Sequence, residues 1–205
     1  MSLNDWHRVF VFVCIMLVLL ACAPMVTALL PNREEPYFAL ALLGKEGRAE
    51  HYYPGDNNSI GVGDIVNWTI YLYNHIEETR YVAIRVKLLN SSMLAPNSSL
   101  CNPTVAPVVY EVRQVIMNNQ TLLLAFYWSI IKVEQIDDFL DVQFVSVNGD
   151  SIYTHVVAPY GFNYRVVFEL WVYDEAVGDF RFGWGNDDEA RCVWNQIWFN
   201  VTLSK

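Results

Sequence analysis

At 205 residues the chain has room for one medium domain and a short export or membrane segment, but not for two full-sized domains. A net charge of -9, from 13 basic and 22 acidic residues, repels phosphate backbones and anionic head groups and so excludes nucleic-acid binding. A hydrophobic content of 54% with 15% aromatic residues excludes a disordered tail and requires a sizeable core.

Residues 1–8 form a short segment expected on the cytoplasmic side. From Val9 to Asn32 no residue is charged, and VFVFVCIMLVLLACAPMVTALL is apolar apart from Thr27. Residues 9–30 therefore read as a transmembrane anchor or a signal segment, long enough to cross a bilayer of about 30 Å. Arg8 before the run and Glu34 and Glu35 after it orient it N-inside and C-outside. Three fates are open. The helix is retained as a single-pass anchor, it is cleaved after Ala28 in the small-residue pattern Val26-Thr27-Ala28, or Leu19-Leu20-Ala21-Cys22 acts as a lipobox that lipidates Cys22. Each puts the rest of the chain outside the cytoplasm, membrane-bound, secreted or lipid-anchored.

Residues 31–36 are a spacer, and 37–205 read as an extracytoplasmic β-sandwich domain. Tyr37–Leu43 is strand-like and ends at Gly44. GKEGRAEHYYPGDNNS, rich in Gly, Pro, Asp and Asn, is a loop or hairpin. Asp64–Asn74 alternates, with Val66, Trp68, Ile70 and Leu72 on one face and Asn67, Thr69, Tyr71 and Tyr73 on the other. YVAIRVKLL follows after the turn-sized HIEET, so these two runs are expected to pair as a hairpin. NSSMLAPNSSLCNPTVAPV is a loop by composition. VVYEVRQVIM and TLLLAFYWSIIKV flank Asn118-Asn119-Gln120 and are expected to form a second hairpin. IDDFLD leaves open a small helix near Ile136–Leu140, and Asn148-Gly149 is a turn. Tyr164–Tyr173 alternates Val166, Phe168, Leu170 and Val172 against Arg165, Val167, Glu169 and Trp171. QIWFNVTL closes the chain with Ile197, Phe199, Val201 and Leu203 on one side. No run after the N-terminal segment has a helical period with caps. The fold class expected is all-β: an immunoglobulin-like antiparallel β-sandwich preceded by one transmembrane or signal helix, with a jelly-roll sandwich as the competing solution.

Cys14 and Cys22 read as small hydrophobes within the apolar segment. Cys101 and Cys192 remain, and in an oxidising compartment they are expected to form one disulfide. Two cysteines with scattered His51, His75 and His155 do not make a zinc site. Acceptor triplets Asn-x-Ser/Thr occur at Asn57, Asn67, Asn90, Asn97, Asn119 and Asn200, whereas Asn102 fails because Pro103 follows it. The clustering of Asn, Ser and Thr in turns accounts for four of these sites. Asn67 and Asn200 instead lie inside strand patterns, both on the face opposite the apolar set, where a glycan would meet solvent. N-linked glycans are therefore expected.

No Gly-x-Ser-x-Gly elbow, His-Glu-x-x-His pair or phosphate-cradling loop is present in the sequence, so no catalytic, metal or cofactor residue is assigned and no enzyme activity is expected. Asp137, Asp138 and Asp141, and Asp187, Asp188 and Glu189, read first as hydrated surface and second as calcium-binding loops. Trp184 and Trp194 flank Cys192. Tyr71, Tyr73, Trp171 and Trp198 fall on outward faces and are candidates for a partner interface, for cover by the protein itself, or for sugar stacking. Tyr37–Leu43 is a candidate donor strand for another subunit.

The segment FALALLGKEGRAEHYYPGDNNSIGVGDIVNWTIYLYNHIEETRYVAIRVKLL resembles the exterior domain of the archaeal domain-of-unknown-function family numbered 1616. The matching residues are Leu43 and Gly44, Gly47 with Ala49 and Glu50, Tyr53 and Pro54, Val62 and Gly63, and Asn74 with His75; VVFELWVYD and QIWFNV are similar to its later strands. The resemblance implies an immunoglobulin-like domain held at an archaeal membrane, and it brings no catalytic residues. This chain departs from the pattern in having one apolar helix and a longer stretch between Asn90 and Tyr160. The function expected is a non-enzymatic, glycosylated cell-envelope module, an accessory subunit of a membrane complex bound through its N-terminal helix and through protein partners or self-association. The alternatives are a secreted filament or sheath subunit assembled by strand exchange, and a carbohydrate-binding module or hydrolase.

Overall fold

The computed structural model describes residues 6–7, 10–18, 20–21, 35–185 and 190–203. They fall in two compact units, Met1–Glu35 and Pro36–Lys205. In the first unit the described residues between 6 and 21 are all helical. No helix among the described residues is long and apolar enough to cross a membrane. The expected single-pass anchor over 9–30 is corrected on this ground, and with it membrane attachment through that helix and a single-pass location. Cys22, proposed for lipidation, and the cleavage position after Ala28 lie outside the described residues.

The second unit is a two-sheet, immunoglobulin-like sandwich. One sheet has the order β1 (Tyr37–Leu43), β3 (Val66–His75), β6 (Thr121–Ile136), β7 (Phe139–Val147) and β8 (Asp150–Pro159). The other has the order β2 (Ser59–Gly61), β11 (Trp194–Thr202), β9 (Tyr164–Asp174), β4 (Arg80–Leu89) and β5 (Val108–Ile116), with β10 (Asp179–Phe182) also on β9. Pairing is antiparallel throughout except for β2 against β11. β1 starts opposite the end of β3, pairing Tyr37 with His75. β11 ends beside the start of β9, pairing Phe199 with Tyr164. The chain thus enters the sandwich at one end and leaves at the other.

Period-2 alternation places the core as the sequence implied. Val66, Trp68, Ile70 and Leu72 of β3 face Val82, Ile84, Val86 and Leu88 of β4 and Val166, Phe168, Leu170 and Val172 of β9, and all are buried. Trp68 is central: it stacks on Phe126 at 6.1 Å, meets Trp128 at 5.3 Å and Phe168 at 6.0 Å, and its indole N–H donates to the Tyr52 carbonyl at 2.7 Å. Truncating so large a buried ring costs about 3–5 kcal/mol.

The two expected hairpins do not form. β3 pairs with β1 and β6, while β4 pairs with β5 and β9. The connections after His75 and after Ile116 instead carry the chain from one sheet to the other. Each crossing sets the apolar face of one run against that of the other across the core, as where Tyr110 of β5 meets Phe126 of β6 at 5.9 Å. Asn74, fully buried, ties the two crossings together. Its Nδ2 donates to the carbonyls of Glu78 (2.8 Å) and Ile116 (3.1 Å), and its Oδ1 accepts from the Ile76 amide (3.1 Å). Hairpins form instead at β9–β10, pairing Asp174 with Asp179, at β6–β7, turning at Asp137-Asp138 in place of a small helix, and at β7–β8, turning at Asn148-Gly149 with φ of 50° and 96°. Two positive φ values in succession are what a tight hairpin turn demands of an Asn-Gly pair.

Candidate functional site

The described residues carry their polar chemistry on the faces and edges of the sandwich. On the outer face of the β4–β9 sheet, strand parity directs Lys87, Arg165, Glu169 and Trp171 away from the core. Lys87 and Glu169 are nonetheless buried, with side chains 5% and 0% exposed, and their ionic groups lie 2.9 Å apart. The cover is the loop between β4 and β5. Lys87 Nζ donates to the Thr104 carbonyl (2.6 Å) and the Thr104 amide donates to Glu169 Oε1 (2.8 Å), while the Trp171 indole donates to Glu169 Oε2 (3.0 Å). Beneath the same loop Leu89, Ala106 and Val167 form a second small core against Met93 and Trp194. Arginines cap the neighbouring rings: Arg85 lies 4.0 Å from the Trp171 centroid and Arg165 4.7 Å from that of Trp198. Arg85 also pairs with Glu111 at 2.6 Å. Burial opposes the charge on Glu111, but hydrogen bonds from Arg85 and Arg113 outweigh it and hold its carboxyl below the usual range. This network escaped the sequence reading, although Lys87 and Glu169 at outward positions of otherwise apolar strands were its visible signal.

The four outward aromatics do not form one patch. Trp171 and Trp198 belong to this arginine-capped face, whereas Tyr71 and Tyr73 stand on the other sheet. There Tyr73 stacks on His75 and leans toward Tyr37, both at 6.0 Å. The outer positions of β1, of β3 and of β6 as far as Ser129 contain no Asp, Glu, Lys or Arg. Among the described residues charge reappears on β6 beyond Ser129, where Lys132 pairs with Phe144 and Glu134 with Asp141, and there Asp141 accepts from His155 (2.9 Å) and from Gln143.

The six acceptor asparagines differ in surroundings. Asn57, Asn67, Asn97 and Asn119 are exposed, and Asn200 is half-buried. Asn67 projects outward from β3 opposite Tyr127, at the rim of an open cleft of about 440 Å³ that Tyr53, His51 and Asp56 also line. His51 Nδ1 donates to Asp56 Oδ1 at 2.7 Å, and that hydrogen bond, with the Asp56 charge, raises the imidazole pKa above its ordinary value. Asn90 is engaged on both sides: its Nδ2 donates to the Val157 carbonyl (2.7 Å) while its Oδ1 accepts from the amides of Ser92 and Met93.

Cys101 and Cys192 are free thiols, which corrects the expected disulfide. Both sulfurs approach the Ser98 carbonyl, at 3.8 and 3.7 Å. A carbonyl oxygen has two lone pairs and can accept both weak S–H donors. Burial, with a hydrogen bond to Cys101, pushes the Cys192 thiol up to about 12. Asp137 and Asp138 form the β6–β7 turn, and Asp138 accepts from the Tyr160 hydroxyl at 3.2 Å. Asp141 departs from the hydrated-surface expectation, being 2% exposed. Asp187, Asp188 and Glu189 lie outside the described residues. Among the described residues no group of three or more His, Cys, Asp or Glu side chains is arranged to hold a metal ion.

No protein-family model matches the sequence, and no curated protein is similar to it. Loosely similar solved structures include these three. The CARDB domain of a Pyrococcus furiosus protein, crystallised with di-metal ions, shares 10% identity over 82% of this chain and 90% of that one, with a TM-score of 0.38. A β-glucosidase from Listeria innocua in complex with gluconolactone shares 8% over 81% of this chain but only 16% of its own, with a TM-score of 0.35. A sporulation control protein from Bacillus subtilis shares 8% over 78% of this chain and 90% of that one, with a TM-score of 0.27. Neither metal binding nor glycoside chemistry passes to this chain from likenesses of that order.

Proposed function

We propose that the sandwich is a non-enzymatic, extracytoplasmic structural module, a secreted surface-filament or sheath subunit whose copies assemble by exchanging β1. One observation carries this reading: β1, YFALALL, is an edge strand without a single charge, bounded by Pro36 and Gly44. Natural edge strands are usually blunted by charge, proline or bulges, and an apolar edge left open invites pairing with another chain. Phe38, Leu40 and Leu42 anchor β1 in the core and Tyr37–Leu43 pairs residue by residue with β3. A groove left by one copy's β1 would therefore accept the same strand from the next with no new contacts to design. Entry of the chain at one end of the sandwich and exit at the other suits head-to-tail addition.

The resemblance to the family numbered 1616 supports an envelope setting and rests on its quoted residues alone. N-glycosylation is part of the proposal, with exposed Asn57, Asn67, Asn97 and Asn119 as acceptors and Asn90 unmodified because its Nδ2 is already committed. Native mass spectrometry and chemical crosslinking of protein from its own source test the reading. A homo-oligomeric ladder with sugar at the exposed sequons is expected, and a strictly monomeric, non-assembling protein would sink it.

A further inference from the structure

Five of the six acceptor asparagines use their carboxamide within the fold. Oδ1 of Asn57, Asn90, Asn97 and Asn200 accepts from a backbone amide, and that of Asn119 accepts from the Tyr73 hydroxyl. Asn67 differs from them. Among the described residues its side chain has no hydrogen-bond partner, and it opens onto the cleft of about 440 Å³ beside β3. Ile65 lines the same cleft and is 63% exposed. It precedes Asn67 by two residues, the spacing that keeps side chains on one side of an extended chain. Another wall is the loop before β2, and its bonds run to the body of the sandwich. The Tyr52 carbonyl accepts from the Trp68 indole at 2.7 Å, and the Tyr53 hydroxyl donates to the Trp198 carbonyl. That wall therefore stays in place whether or not β1 is exchanged.

We infer that this cleft seats the innermost sugars of a glycan carried on Asn67. The inference rests on the N-glycosylation proposed above and adds where that glycan lies. A pyranose ring presents an apolar face of C–H groups and a rim of hydroxyls. Ile65 and the Tyr53 ring supply apolar surface for the first. The Lys45 ammonium and the hydrogen-bonded His51 and Asp56 supply donors and acceptors for the second. The volume, about 440 Å³, falls in the range of about 300–1,000 Å³ that small-ligand sites occupy. A cleft this open would hold a free sugar weakly. A short covalent tether raises the local concentration to about the millimolar range, so the same few contacts retain a sugar that starts at Asn67.

The test is hydrogen exchange on the full chain, made in a host that adds N-glycans and in one that does not, with peptide mass spectrometry reporting sugar at each acceptor. With sugar on Asn67, the amides of residues 51–56 should exchange at least about threefold more slowly, the protection given by a tethered ligand that is about two-thirds bound. Asn67→Gln in the glycosylating host should remove that protection while the other glycans stay in place. Ile65→Ser should keep the sugar on Asn67 and lose most of the protection. Ile65 is exposed, and an unchanged circular dichroism spectrum and melting temperature in the non-glycosylating host would establish that this variant is folded. Sugar on Asn67 with unchanged exchange over 51–56 would overturn the inference and leave glycosylation standing, as would protection that the folded Ile65→Ser chain retains in full. An Asn67 without sugar, both in that host and in protein from its own source, would remove the modification at this position and the inference with it.

Discussion

Replacing Lys87 with Met removes one partner of a pair that water does not reach. Glu169, 0% exposed, keeps its hydrogen bonds from the Thr104 amide and the Trp171 indole but loses the ammonium at 2.9 Å. The Thr104 carbonyl loses its donor at 2.6 Å. Breaking a buried ion pair from one side costs about 3–5 kcal/mol. The two remaining donors to the carboxylate reduce this, so a loss of about 3 kcal/mol is expected, which lowers the melting temperature of a domain of this size by about 6–12 °C. Adding Glu169→Gln to Lys87→Met removes the orphaned charge while keeping an acceptor for one of the two donors, and it restores about 1 kcal/mol. Urea unfolding of the two single variants and the double variant at neutral pH completes the cycle. A Lys87→Met loss below about 1 kcal/mol, or a double variant no more stable than Lys87→Met, would refute the claim that loop and sheet are held by a desolvated pair.

Asn74→Ala should cost about 2–3 kcal/mol in the same assay, because the buried Ile116 carbonyl and Ile76 amide, and the Glu78 carbonyl, all lose their partner; a loss no greater than that of an exposed Asn→Ala control would contradict the role given to it. His51 is raised by Asp56, so its protonated form favours the folded state: that contribution is complete below the unfolded pKa of about 6.5 and is lost as pH rises through the folded value. A proton-NMR titration should show the His51 midpoint falling on Asp56→Asn, and an unmoved midpoint would count against the pairing. Cys192, with its thiol pushed up to about 12, should alkylate far more slowly at pH 8 in the folded than in the unfolded protein. Unfolding without reductant should then label both Cys101 and Cys192, and a mass showing neither labelled would restore the bridge.

The strands were legible because period-2 alternation is a local property. Tyr37–Leu43 coincides with β1, and the inward set of the β3 run is buried residue for residue. Pairing was not legible, because HIEET and Asn118-Asn119-Gln120 have the length of a hairpin turn and equally of a crossing between sheets. What decides between them is the burial of both runs' apolar faces against each other and the bonds of Asn74, which are tertiary facts. The same limit applied to the outward faces. Alternation separates inside from outside only where solvent covers the outside, and the β4–β5 loop turns Lys87, Val167 and Glu169 into interior residues. β2 was missed because three residues, Ser59–Gly61, carry no period and form a strand only by lying alongside β11.

Exchange of β1 is tested most directly by a crosslink that records whose β3 it pairs with. Ala41 lies directly opposite Tyr71, so Ala41→Cys with Tyr71→Cys, in a chain whose native cysteines are replaced by serine, places two thiols across the β1–β3 pair. After assembly and oxidation, denaturing electrophoresis should show a covalent ladder of dimers and higher species. Crosslinked chains that all migrate as monomers would mean that β1 stays with its own copy, and the strand-exchange account would fall.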